Sequence, residues 1–254
     1  VHSLYQTSFP YANKSIVVVN TGSKIYTIDF KKHALLSEHN FENGENILET
    51  CPASEAVAYL KDNNLYVTRG LKVWQLSTDG SRDIVYGQSV HRDEFGIHKG
   101  TDWSNDGEKL AFYRMDQSMV TDYPQVDIPE IGFNHPETQS CIATAAPDKY
   151  PMAGETSHKV TVGVFNLNTG KTVYLQAGDP TDRYFTNISW SPDSKTIYMF
   201  ELNRDQNDCH LVAYNAETGE KQGELYHETD EKYVEPQNPI VFLPWDSNSF
   251  IMQS

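Results

Sequence analysis

The sequence predicts an all-β fold, and three observations carry that expectation. Apolar and polar residues alternate with a period of two along most of the chain, and no apolar stripe of helical period outlasts two turns. Short runs rich in Val, Ile, Tyr and Phe are separated by turn residues at regular spacing. A Trp-Ser-x-Asp signature also recurs. Trp103-Ser104-Asn105-Asp106-Gly107-Glu108-Lys109-Leu110 aligns, with one gap, with Trp190-Ser191-Pro192-Asp193-Ser194-Lys195-Thr196-Ile197, and the stretch from Phe242 to Phe250 reads as a degraded third copy. In such a unit the aromatic closes an inner strand, Ser-x-Asp-Gly turns the chain, and the apolar residues after Lys open the next strand. Repeated small sheets protect their edges by packing radially on one another, so the expected architecture is a set of antiparallel β-propeller blades. A sandwich or closed barrel would not require the recurrence.

Taken in order, Ile16–Asn20 and Lys24–Asp29 form a hairpin across Thr21-Gly22-Ser23, where the glycine can supply a positive φ. Residues 57–60 and 64–68 repeat the device across Lys61-Asp62-Asn63, and 71–76 follows Arg69-Gly70. A third group comprises 109–114, 159–166 and 171–175, the last two joined by Asn168-Thr169-Gly170. A fourth comprises 187–190, 196–201 and 210–215, ending at Ala216-Glu217-Thr218-Gly219. A fifth begins with 240–243 and 250–253. The blade-like units therefore fall near 16–50, 57–90, 101–175, 187–226 and 240–254. One excursion breaks the rhythm: residues 123–150 carry Pro124, Pro129, Pro136 and Pro147 among polar residues, too long and proline-rich for a hairpin loop.

The chain of 254 residues suits one large all-β domain or two smaller ones. Its formal charge of -15 argues against nucleic acid or an anionic membrane and favours a cationic or neutral ligand. Cys51, Cys141 and Cys209 lack any C-x-x-C spacing, so no zinc site or disulfide framework is indicated, although one bridge plus a free thiol remains open. No run is long enough to span a membrane, and the stretch at Val1 has no leader-like pattern. The chain has no G-x-S-x-G elbow, no glycine-rich phosphate loop and no H-E-x-x-H pair, so serine nucleophile, nucleotide and metal chemistry are not indicated and no cofactor is expected. The sequons at Asn13 and Asn187 carry no role.

The chemistry concentrates in His91-Arg92-Asp93-Glu94-Phe95-Gly96, followed by Gly100-Thr101-Asp102-Trp103. Adjacent residues of a strand point to opposite faces, so Asp93 and Glu94 can share a ligand only where the backbone leaves the strand in a turn or short helical turn. Gly96 and Gly100 allow that. Two carboxylates held together repel unless a cation sits between them, which makes the pair a seat for an ammonium group. Acidic neighbours also arise without function in a chain with 35 acidic residues, Asp230-Glu231 being another such pair, and both readings stand at this point. A propeller glycosidase using two carboxylates, or a propeller module that binds protein or carbohydrate, is the alternative class.

Several stretches together resemble the N-terminal domain of the dipeptidyl peptidase IV family, its bacterial members in particular. They are Val90-His91-Arg92-Asp93-Glu94-Phe95-Gly96, Trp103-Ser104-Asn105-Asp106-Gly107 with Leu110-Ala111-Phe112-Tyr113-Arg114, Tyr150-Pro151-Met152-Ala153-Gly154, and Asn203-Arg204-Asp205-Gln206-Asn207. The resemblance runs from about Ile16 to Ser254. It implies a propeller of about eight blades capping an α/β-hydrolase domain with a Ser-Asp-His triad. It further implies that a carboxylate pair, matched here by Asp93 and Glu94, holds the free N-terminus of peptide substrates. The first member is Asp where the family carries Glu, and Ser89 and His91 stand where a tryptophan and a tyrosine often precede the pair. The same resemblance implies a periplasmic or secreted, homodimeric parent whose hydrolase domain lies outside this chain, which would then hold about half a propeller and no catalytic residues of its own.

Overall fold

The structure, a computed structural model, describes residues 6–9, 15–42, 45–128 and 142–253. Four consecutive antiparallel sheets follow one another along the chain, each with at least four strands in a simple meander. The first joins Gln6–Ser8, Ile16–Asn20, Lys24–Asp29 and Ala34–Asn40, and the second Glu45–Thr50, Val57–Lys61, Asn64–Arg69 and Lys72–Gln75. The third joins Thr101–Trp103, Lys109–Asp116, Lys159–Asn166 and Lys171–Tyr174, with Ile84–Tyr86 pairing the far end of Lys109–Asp116. The fourth joins Arg183–Trp190, Thr196–Asn203, Asp208–Asn215 and Lys221–Thr229, and Val241–Leu243 pairs with Asp246–Ile251 beyond it.

What makes this a set of blades is the order of the cores. Val18 and Ile25 of the first sheet, with Phe41 just after its last strand, pack on Val57 and Tyr59 of the second. Leu60, Leu65 and Val67 of the second pack on Leu110, Phe112 and Phe165 of the third. Ala111, Tyr113, Val160, Val162 and Val164 of the third pack on Phe185, Ile197, Met199 and Leu211 of the fourth, with Ile240 against the same cluster. Each sheet thus covers its chain neighbours, as radial repetition requires. The period of two explains how: in Lys109–Asp116, Leu110 and Phe112 face the second sheet while Ala111 and Tyr113 face the fourth. A strand buried on both faces reads as a continuous apolar run, and Leu110 to Phe112 are fully buried. Gly163, opposite Phe112 in the ladder, is required by packing, because a Cβ there would sit 2.4 Å from the Phe112 ring.

The Trp-Ser-x-Asp recurrence is a hydrogen-bonded turn. Ser104 Oγ donates to Asp106 Oδ1 at 2.6 Å and accepts from the Lys109 N–H at 2.9 Å; Ser191 Oγ does the same with Asp193 Oδ1 at 2.6 Å and the Thr196 N–H at 2.9 Å. The two copies also stitch neighbouring sheets together. Asn105 Nδ2 donates to the Ser191 carbonyl at 2.9 Å, and the Asp106 N–H donates to Ser194 Oγ at 3.1 Å. The third copy departs from the pattern: Trp245 occupies the turn itself, 80% exposed, instead of closing a strand.

Four sequence expectations change. Glu45–Thr50 opens the second sheet, so the unit read as 16–50 ends at Asn40, and the outer strands Ala34–Asn40 and Lys221–Thr229 appear where no strand was expected. Arg183–Trp190 also begins earlier than the expected 187. The excursion, expected to be no hairpin, is a two-stranded ribbon in its described part: Asp122–Tyr123 pairs Asp148–Lys149 and Val126–Asp127 pairs Thr144–Ala145. Pro124 and Pro147 fall in the gaps between the paired segments, where a missing N–H breaks no ladder bond. Pro129, Pro136 and Cys141 lie outside the described residues.

Candidate functional site

After Ile84–Tyr86 the chain leaves the third sheet and makes a single tight turn at His91–Asp93. The turn is left-handed: φ is 54° at His91, 60° at Arg92 and 62° at Asp93, returns to -68° at Glu94, then is 58° at Phe95 and 68° at Gly96. Left-handed backbone costs a residue with a Cβ roughly 1–2 kcal/mol. A run of three persists only where the surroundings dictate it, and such strain gathers at functional sites.

The surroundings are specific. His91 is buried, and its Nε2 accepts the Phe185 N–H at 3.3 Å, so its proton resides on Nδ1, which donates to His158 Nε2 at 2.9 Å. Both rings are therefore neutral. Burial, and then the neighbouring His158, hold His91 well below its ordinary value; burial, and then the Arg204 and Arg92 guanidiniums, bring His158 down to about 4. Phe95 is buried against Tyr184 with ring centroids 5.2 Å apart, and its carbonyl accepts from Asn187 Nδ2 at 3.0 Å. Asn187 sits at the bulge in Arg183–Trp190 with φ 54°. Gly96 closes the turn; a Cβ there would lie 2.1 Å from the Gln237 carbonyl oxygen. Arg92 points to the ribbon, donating to Asp148 Oδ2 at 2.6 Å with its guanidinium over the Tyr150 ring.

Between the turn, the ribbon base and the fourth sheet lies an open cavity of about 350 Å³, bordered by His91, Glu94, Tyr150, His158, Tyr184 and Arg204 among others. Glu94 lines it. Asp93 is exposed beside it but outside the lining. Among the described residues, neither carboxylate has a hydrogen bond or an ion pair, whereas Arg92, Arg183 and Arg204 are each committed to an acidic residue.

Several residues of the region escaped the sequence reading. His158, Tyr184 and Arg204 come to the cavity from other elements, and their only sequence trace was the Asn203-Arg204 stretch. Asp102, singled out downstream of the turn, is committed elsewhere: the Lys99 ammonium donates to Asp102 Oδ1 at 2.9 Å and Glu49 Oε1 at 2.8 Å. Burial opposes that ammonium, yet Asp102 and Glu49 hold Lys99 above its ordinary value, an internal instance of two carboxylates gripping one cation. Asn187, read as a sequon, is buried and hydrogen-bonded. Cys51 and Cys209 are buried free thiols, so they do not pair with each other.

Residues 13–254 match the family model described as the dipeptidyl peptidase IV N-terminal region. A crystallised protein of Bacteroides ovatus ATCC 8483, described as a dipeptidyl aminopeptidase IV, superposes with a TM-score of 0.86 at 50% identity, over 99% of this chain and 33% of its own. Porphyromonas gingivalis dipeptidyl peptidase 4 shares the fold, with a TM-score of 0.71 at 22% identity, over 94% of this chain and 33% of its own. A Pyrenophora tritici-repentis protein named as a dipeptidyl-aminopeptidase B is 28% identical over 86% of this chain and 26% of its length. The chain thus spans about a quarter to a third of the proteins it resembles. With the family model covering residues 13–254 and the whole fold superposing on a solved relative, the chain belongs to the dipeptidyl peptidase IV N-terminal region family.

Proposed function

We propose that this chain is the substrate-gating domain of a serine dipeptidyl peptidase. Glu94, with Asp93 beside it, receives the free N-terminal ammonium of a peptide substrate, and a hydrolase domain in the rest of the parent protein cuts the chain two residues on. The observation that carries this reading is the pair of uncommitted carboxylates on a left-handed turn fixed by buried contacts, one of them opening into the cavity. An ammonium placed there makes charge-assisted hydrogen bonds to the carboxylates, stronger than neutral ones. Holding the chain end fixes its distance to the scissile bond, which converts binding into register. An acetylated N-terminus has no charge and only one N–H donor left, with an acetyl group in place of the others, and is rejected.

The reading is tested by titrating the chain, observed by NMR, with a dipeptide carrying a free amine and with its N-acetyl counterpart. Shifts confined to the 91–96 turn and the cavity, seen with the free amine alone and lost in E94Q, are expected. Equal binding of the acetylated peptide overturns the reading and favours a module with another ligand. From the family resemblance alone we further propose that the parent is a homodimer in the periplasm or outside the cell; sedimentation of the full-length parent as a monomer, or its recovery with cytoplasmic markers, would contradict that part.

A further inference from the structure

On the two outermost strands of the fourth sheet, far along the chain from the turn, two histidines meet a carboxylate. His210 of Asp208–Asn215 lies directly across the ladder from His227 of Lys221–Thr229, and Asp208, two residues before His210, shares their face. Their rings stack with centroids 4.1 Å apart and planes 9° from parallel. Asp208 Oδ1 is 2.6 Å from His227 Nε2 and 3.2 Å from His210 Nε2, and the three ligand atoms lie within 4.8 Å of one another. From these positions we infer that Asp208, His210 and His227 form a binding site for a late first-row divalent transition metal ion, zinc being the natural occupant.

The geometry and the ligand chemistry agree. A tetrahedral zinc shell with bonds of about 2.0–2.1 Å spaces its ligand atoms roughly 3.3 Å apart, which a modest tilt of the stacked rings supplies. Two imidazoles and one carboxylate, with water completing the shell, are a zinc-type set. A second observation points the same way. Glu224 Oε2 stands 3.2 Å from His210 Nδ1, the ring nitrogen turned away from Asp208, and that nitrogen is buried without an aligned acceptor among the described residues. A carboxylate behind a ligating histidine fixes its tautomer and leaves Nε2 free for the metal. Lys221–Thr229 is the outermost strand of its sheet, and its pairing shifts register at Leu211/Val212 and Ala213/Tyr214. A metal joining His227 to Asp208 and His210 clamps the regular end of that strand, just beyond the point where its ladder shifts register.

Zinc chloride titrated calorimetrically into the metal-free chain at pH 7.5 is expected to bind with one equivalent and raise the melting temperature. H227N, whose exposed ring supports no core, is expected to weaken that binding at least roughly 10-fold, and E224Q by about 10-fold through the ring it orients. Circular dichroism of apo H227N and E224Q establishes that both are folded. Zinc binding unchanged in folded H227N, or no binding at all to the unmodified chain up to millimolar zinc, overturns the assignment and leaves a hydrogen-bonded His-Asp-His cluster.

Discussion

His91 Nδ1 donates to His158 Nε2 across 2.9 Å inside the protein, and this contact ties the turn that carries Asp93 and Glu94 to the segment entering the Lys159–Asn166 strand. Because the Phe185 N–H already occupies His91 Nε2, the two rings fit together only as neutral imidazoles. The geometry of the candidate site therefore depends on proton occupancy some way behind it.

Stability is expected to fall in mild acid. Both histidines have folded-state values below the ordinary imidazole value of about 6.5, so between about pH 6.5 and 4 the unfolded chain binds protons that the folded chain refuses. Stability is fully present above about pH 6.5 and is lost as the pH drops toward 4, with His158 alone contributing on the order of 3 kcal/mol. Urea unfolding at pH 7.5, 6 and 5 measures it. A profile flat across that window contradicts the neutral pair.

Replacing His91 with Phe keeps the apolar contacts to Phe95 and Tyr184 but leaves the Phe185 N–H and His158 Nε2 without their partner. The expected cost is about 1–3 kcal/mol, and the acid sensitivity should shrink along with it. Wild-type stability in H91F would show that the hydrogen bonds do not hold the turn.

G96A meets two obstacles, a φ of 68° and a Cβ 2.1 Å from the Gln237 carbonyl oxygen. Strain and clash together are expected to destabilise by at least about 2 kcal/mol. Thermal melting of G96A beside G22A, where a Cβ meets nothing within 4 Å, separates the clash from the backbone strain. Equal losses in the two variants would remove the clash from the account.

Ser194 occupies the place that Gly107 holds in the sister turn, with φ 60° against 71°. Its buried Oγ accepts the Asp106 N–H of the preceding blade. S194A and S194G both lose that bond, but only glycine relieves the left-handed backbone, so S194G should be more stable than S194A by about 1 kcal/mol. Identical melting of the two would mean the strain there is negligible.

The strands covered on both faces were legible in the sequence, because Lys109–Asp116 and Thr196–Asn203 bury nearly continuous runs. The outer strands were not. Ala34–Asn40 and Lys221–Thr229 are largely exposed, so no apolar alternation marks them, and only pairing with an inner neighbour makes them strands. At the site, the Asp93-Glu94 motif and a turn beneath it were readable from residue types. The left-handed hand of that turn was not, since it is imposed by His158 and Phe185, 67 and 94 residues away. For the same reason the second grip on Lys99 was hidden: Asp102 stands three residues from the lysine, but Glu49 lies 50 residues upstream of it.

Steady-state kinetics of the full-length parent, with E94Q and D93N compared on one dipeptidyl substrate in free-amine and N-acetylated forms, show whether the two carboxylates hold the substrate's amine. The expected result is a fall in kcat/KM of at least roughly 100-fold for E94Q on the free amine, the loss of about 3 kcal/mol of charge-assisted binding, and negligible turnover of the acetylated form by every protein. Undiminished kcat/KM in folded E94Q and D93N, or efficient turnover of the acetylated substrate by the unmodified enzyme, would contradict it.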